Sequence, residues 1–390
     1  MNFIRKYFQL DKYNTSIKVE FIAGLTTFIS MSYILFVNPS VLGASGMNTG
    51  AVFTATALAS VFVASIIFIL ITLFKLREKI IDSIPADLKF AISSGIGLFI
   101  AFLGLQNGKL IVANKSTLVG LGSLHDPLVW ITIFGLLVTV ILMILNVPGA
   151  IFIGMVLAAI FGICTGQIAL PHKVISTAPS LAPTFGQAIF HIKDINSVQM
   201  WVVVLTFLLV TFFDTAGTLI GLAQQAGFMK NNKMPRVGKA LAADSSAMAV
   251  GSILGTSPVG AFVESSAGIA VGGRTGLTAV FVAIFFLISM IFSPLLGVFT
   301  SQVTAPALII VGVLMAQNTA HIHWNKLEIA VPAFLIILGM PLTYSISDGL
   351  SWGMITYPIC MLAAKRGKEI SPMMWVLFFV FIIFLWVLNF

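Results

Sequence analysis

The chain has 390 residues, of which 58% are hydrophobic and 9% charged, with a mean hydropathy of +1.06 and a formal charge of +8. That composition excludes a soluble domain and requires burial in a bilayer. It also excludes a nucleic-acid role for the positive charge, because the basic residues punctuate apolar stretches instead of forming one patch.

Read in chain order, apolar segments of spanning length fall at 20–42, 51–74, 88–106, 127–146, 148–169, 198–223 and 238–255. A short half-helix at 260–272 follows, then 275–297, 303–318, 327–343 and 346–364. A last apolar stretch, 371–389, either spans or lies at the interface, where Trp375 and Trp386 suit a ring position. Trp130, Trp201 and Trp352 fall near span ends, as interfacial anchors do. The segment 171–197 carries Pro171, Pro179 and Pro183 and reads as a surface-lying outer connector. Two helices share an ending: Gly95 to Asn107 and Ala307 to Asn318 both close on Gln-Asn, a faint sign of internal symmetry.

This topology puts 17 of the 21 basic residues on one face, and only Lys109, Lys115, Lys173 and Lys193 on the other. The positive-inside pattern predicts a cytoplasmic-membrane protein with a cytoplasmic N-terminus and no removable signal peptide. Cys164 and Cys360 lie in apolar runs and imply neither a disulfide nor a metal site. The five histidines lie in loops and form no metal-ligand pattern.

The chemistry concentrates in acids at membrane depth: Asp214, Asp244, Glu264 and Asp348. A charge near the bilayer centre costs at least about 2.5–3.5 kcal/mol, so each must face a cavity or a partner. Glu264 lies in Gly255-Thr256-Ser257-Pro258-Val259-Gly260-Ala261-Phe262-Val263-Glu264-Ser265-Ser266. Pro258 removes a backbone donor and the glycines loosen the helix, so the span breaks here. A broken span beside an acid is the best sequence pointer to a transporter's substrate site. Asp214, Thr215 and Thr218 share a helix face, giving one carboxylate and two hydroxyls on one patch. Asp244 sits among small residues suited to close packing and reads as supporting the site. Asp348 reads as the N-cap of the helix after it.

At these residues the chain resembles a known family. Gly24-Leu25-Thr26-Thr27-Phe28 through Asn38-Pro39, Phe213-Asp214-Thr215-Ala216-Gly217-Thr218, Val263-Glu264-Ser265-Ser266-Ala267-Gly268 and Gly272-Gly273-Arg274-Thr275-Gly276-Leu277 are similar to the nucleobase–ascorbate transporter superfamily. The nearest branch is the adenine/guanine/hypoxanthine (azaguanine-resistance type) permeases. The resemblance implies an all-α polytopic membrane protein of the inverted-repeat, 7+7 core/gate fold. It implies secondary active transport by proton symport of purine nucleobases, with no cofactor beyond the proton gradient. Asp214 and Glu264 match the family's substrate- and proton-binding acids. Thr215, Thr218, Phe262, Val263 and Ser265 would complete the substrate site, with Phe262 placed to stack on the base, and Asp244 would support it.

One departure stands out. Val52 to Val61 reads like the start of the family's second span and Ser65 to Glu78 like the end of its fourth, so about two spans are missing at Phe62-Val63-Ala64. That leaves about 12–13 membrane segments and removes the first repeat's half-helix. The expected organisation is one transporter domain: a shortened first repeat, 1–169, an external connector, 170–197, a second repeat, 198–364, and an apolar segment, 365–390. Expected partners are the bilayer, protons and a purine nucleobase, with a homodimer left open and no nucleic acid. Three rivals remain: a transport-inactive shortened paralogue or partner subunit, an anion carrier or channel of the same fold, and an intramembrane aspartyl protease. The Asp214–Glu264 pair argues against an anion site, and the absence of a Gly-x-Gly-Asp setting argues against a protease.

Overall fold

The structure, a computed structural model, describes residues 2–37, 51–74, 83–147, 149–171, 173–177, 182, 184–196, 198–228, 234–262 and 264–388. The expected turn at 43–50 and Val263 lie outside the described residues. Ser16 caps the first long helix by accepting from the amide of Val19.

A short α1 (Asn2–Tyr7) precedes α2 (Ile17–Met31), α3 (Ala51–Leu73) and α4 (Ala86–Asn107). A hairpin of β1 (Ile111–Asn114) and β2 (Leu118–Leu121) leads to α5 (Pro127–Ile144) and α6 (Ala150–Cys164). Next come α7 (Gln187–Phe190), α8 (Val198–Gln225), α9 (Val237–Leu254), α10 (Ser265–Val271) and α11 (Gly276–Ser289). The last four are α12 (Ser301–Ala316), α13 (Leu327–Thr343), α14 (Ile346–Ala363) and α15 (Pro372–Leu388).

The helices sort into two groups. In one, α4 packs on α12 and α13, α12 on α5 and α6, and α13 on α14. Each contact has a counterpart under exchange of α4–α5–α6 with α12–α13–α14, the signature of an inverted pair. The two central helices run antiparallel, since Gly97 meets Gly312 and Met315 while Gly104 meets Ala305 and Ile309. These are the helices with the shared Gln-Asn endings. Glycines permit the close approach. A Cβ on Gly312 would lie 2.4 Å from the Gly97 carbonyl oxygen. Gly312→Val is therefore expected to lower stability by about 1–3 kcal/mol or more, read as loss of the monodisperse peak in size-exclusion chromatography.

The second group holds α2 against α10 and α11, and α3 against α8 and α9. α3 runs without interruption through the expected join at 62–64. α11 buries only Leu277 and turns its apolar surface outward, as a lipid-facing helix does. The span expected at 275–297 becomes 3₁₀ from Met290 to Val298, where Pro294 cannot donate to a regular α-helical ladder.

Other expectations shift locally. α15 buries Met374, Leu377, Phe381 and Phe384 and runs along α14 and α8, so it belongs to the bundle. Asp348 is not the cap of α14: Ser345 is, its Oγ accepting from the Asp348 amide at 3.2 Å. Ser345 is extended and can turn its hydroxyl onto the first turn, whereas Asp348 already lies inside the helix. The hairpin was not expected; it stands on the end away from α1, tied by Lys109 to Asp126 at 2.9 Å. That hydrogen bond holds the Asp126 carboxyl below its ordinary range.

Candidate functional site: a broken helix between two bundles

α9 ends on Gly255, whose φ of +91° is the left-handed turn that glycine adopts most readily. Residues 256–262 are not helical, and α10 begins at Ser265, directly after Glu264. The half-helix is thus shorter than the 260–272 expected. Pro258 and the small residues around it leave nothing to propagate a helix before Phe262, whose carbonyl accepts from the Ser265 amide.

Glu264 sits at that junction, and the buried Tyr33 hydroxyl donates to its Oε1. Tyr33 stands where α2 is interrupted: Ser32 and Tyr33 form a turn, the Ser32 hydroxyl bonds back to Ile29, and helix resumes at Ile34. Two irregular points, one per helix, therefore face each other across the fold. Tyr33 falls inside the Gly24 to Pro39 stretch that resembles the family, but nothing in the sequence assigns it to the site. Its partner is 231 residues away, which no local pattern reveals. Tyr33→Phe removes the donor and keeps the ring. It is expected to weaken substrate binding about tenfold, measured by isotherms on the purified protein.

The second cluster lies on α8 and α9. Thr215, fully buried, donates its hydroxyl to both carboxylate oxygens of Asp244 at 3.2 Å. Thr218 is also buried one turn along. α8 touches α10, so this cluster and the break belong to one region. The Asp214 side chain lies outside the described residues, although its backbone belongs to α8.

A cavity of about 700 Å³ begins at the break, where Gly260, Ala261, Phe262 and Ser265 line it. Thr27 and Met31 of α2 form one wall, and the cavity extends to the end of the molecule that carries α1. Its size falls within the ~300–1,000 Å³ of ordinary small-ligand sites. Of the expected site residues, Phe262 and Ser265 line it, Glu264 between them in sequence engages Tyr33, and Thr215 and Asp244 pair with each other outside its lining. The described residues of the connector do not line this cavity. They pack on the end of α9 where the break begins, with the Gly186 amide donating to the Ile253 carbonyl and Thr184 beside Gly255.

Glu20, which no sequence motif singles out, is fully buried. Its Oε1 accepts from Thr15 Oγ1 at 2.9 Å and the Arg274 amide at 3.0 Å. Its Oε2 accepts from the Thr275 and Thr278 amides at 3.3 and 3.2 Å and from Thr278 Oγ1 at 2.5 Å. One carboxylate thus saturates the start of α11 and fixes it to α2. It is structural, and it holds the cavity wall. Among the described residues no group of three His, Cys, Asp or Glu is placed to hold a metal.

This fold and site define a polytopic membrane transporter. Among solved structures, the chain is similar to the transmembrane domain of a cyanobacterium bicarbonate transporter, BicA, with TM-score 0.54 and 17% identity over 89% of this chain and 88% of that one. It is also similar to SLC26A9, with TM-score 0.60 and 12% identity over 91% and 67%. Both share the inverted-repeat fold.

The model of the Permease family matches residues 44–351, and the chain belongs to that family. The guanine/hypoxanthine permease PbuG of Bacillus subtilis (strain 168) is 48% identical over 98% of this chain and 99% of its own. The adenine permease AdeP of Escherichia coli (strain K12) is 35% identical over 97% and 95%. These are relatives of the branch that the motifs resemble.

Proposed function

We propose that the chain is a proton symporter that imports purine nucleobases across the cytoplasmic membrane, with its N-terminus in the cytoplasm. The observation that carries this reading is Glu264 at the broken helix, engaged by Tyr33 beside a cavity of ligand size. A purine edge offers N–H donors and ring-nitrogen acceptors. Glu264 accepts from an N–H, Phe262 stacks on the ring and Ser265 supplies a hydroxyl. Val263 and the α8 face of Asp214, Thr215 and Thr218 complete the site, with Asp214 and Glu264 exchanging the coupled proton and Asp244 orienting Thr215. The names of PbuG and AdeP supply the substrate class. The cytoplasmic assignment rests on basic residues: Arg5, Arg236, Arg274 and Arg366 sit toward the α1 end by chain direction.

A second reading, a transport-inactive shortened paralogue, is favoured by one observation: α3 is a single unbroken helix. The match to PbuG extends over 435 positions yet takes up 98% of a 390-residue chain. The unmatched remainder is about the length of two spans. The placement at Phe62-Val63-Ala64 is part of this proposal.

Expression in cells lacking purine uptake distinguishes the readings. Transport predicts accumulation of labelled adenine, guanine or hypoxanthine that is abolished by a protonophore and lost in Asp214→Asn and Glu264→Gln. Membrane-inserted protein with uptake equal to vector control sinks it. Co-purification with a full-length permease then supports the partner-subunit reading.

A further inference from the structure

The cavity has two chemically different ends. The end at the break is apolar and hydroxylic. The end at the α1 face is lined by Tyr7, Gln9, Tyr13, Phe228, Arg236 and Arg274. We propose that this mouth binds a phosphate-ester anion, carried by a soluble purine nucleotide or by a lipid headgroup.

The charges support it. Arg274 is held in place by one nitrogen, its Nη1 donating to the Ile269 and Gly273 carbonyls at 2.7 and 2.8 Å. Its Nε and Nη2 have no partner among the described residues. The Arg236 guanidinium likewise has no ion pair or hydrogen bond among them. A guanidinium fixed in orientation with a free edge is suited to bidentate phosphate binding. Lys12 adds a third cation: its Nζ bonds Gln9 Oε1 at 3.2 Å and sits 5.5 Å above the Tyr13 ring.

Among the described residues no carboxylate lines the cavity to neutralise these groups. Of the nearby acids, Glu20 is saturated by five donors and Asp11 is paired with Arg5 at 3.5 Å. Deeper in the same wall Thr27 is buried, its hydroxyl closed against Gly268 with no hydrogen-bond partner among the described residues, so the polar character of the cavity is concentrated at the α1 mouth.

The volume accommodates a base at the break with its sugar phosphate toward the arginines. A reaction that attaches ribose phosphate to an imported base would supply such a ligand and occlude the carrier from within. The base end rests on the transport reading above; the anion end does not.

The test uses the full chain in nanodiscs of phosphatidylcholine, with and without phosphatidylglycerol, and measures binding of guanosine monophosphate, inorganic phosphate and guanine separately. In phosphatidylcholine the nucleotide is expected to bind in competition with phosphate. Arg236→Glu should weaken it about tenfold or more while guanine still binds. Arg236 is exposed and its guanidinium has no partner among the described residues, so this variant should fold; Arg274→Lys provides a second. Phosphatidylglycerol should compete with the nucleotide if headgroups also enter. Enrichment of that lipid around wild type over Arg236→Glu, without nucleotide binding, makes the headgroup the source. Failure of nucleotide, phosphate and lipid alike, or equal binding by Arg236→Glu, overturns the proposal. Phosphate binding without guanine binding overturns the transport reading and leaves the anion site standing.

Discussion

Glu264→Gln is expected to bind guanine about a hundredfold more weakly than wild type, with the fold intact. The substitution keeps the size of the side chain and its acceptor toward Tyr33, so the packing at the start of α10 survives. It removes the charge, and hydrogen bonds to an ionised group contribute about 1.5–3 kcal/mol, or roughly one to two decades of affinity. Equilibrium binding to purified protein reads the effect without requiring turnover. An affinity within about twofold of wild type would remove Glu264 from the proposed substrate site. Phe262→Ala should fall between the two, since a stacked aromatic contributes about 0.5–1.5 kcal/mol beyond area burial.

Glu20→Ala is expected to have the largest effect on stability. Five donors converge on this carboxylate from Thr15, Arg274, Thr275 and Thr278. Truncation strips the half-buried Arg274 and Thr275 amides of their acceptor and frees the Thr15 and Thr278 hydroxyls, at up to about 1–3 kcal/mol each. The loss of several kcal/mol should abolish recovery of folded protein from the membrane. Glu20→Gln, which retains an acceptor, should be milder. The melting profile of detergent-purified protein decides it: equal profiles for Glu20→Ala and wild type would show that the α2–α11 joint does not depend on this group.

These two acids illustrate what the sequence could reveal. Glu264 was legible because Gly255, Pro258 and Gly260 mark a break by their own backbone chemistry, which needs no tertiary information. Glu20 looked like an ordinary first-turn acid; its meaning depends on Gly272-Gly273-Arg274-Thr275 arriving from more than 250 residues downstream. Tyr33 was hidden for the same reason. Thr215 was placed on the correct helix, but its partner turned out to be Asp244, because hydroxyl direction depends on which neighbour packs alongside. The spans were readable as apolar runs, with ends moved by proline and by caps such as Ser345. The hairpin at Ile111–Leu121 is four residues per strand and carries no periodicity long enough to recognise. The shared Gln-Asn endings fall on two helices that pack together, α4 and α12, and the signal is faint because glycine contacts, not the endings, determine the packing.

The central claim is that a chain with one recognisable broken-helix half-site still moves a purine against a gradient. It is tested most directly by reconstitution into proteoliposomes with an imposed inward proton gradient. The account predicts accumulation of labelled guanine or hypoxanthine above protein-free vesicles, collapsing on addition of a protonophore and absent in Asp214→Asn. Folded, correctly inserted protein that gives no accumulation, or accumulation indifferent to the proton gradient, would contradict it.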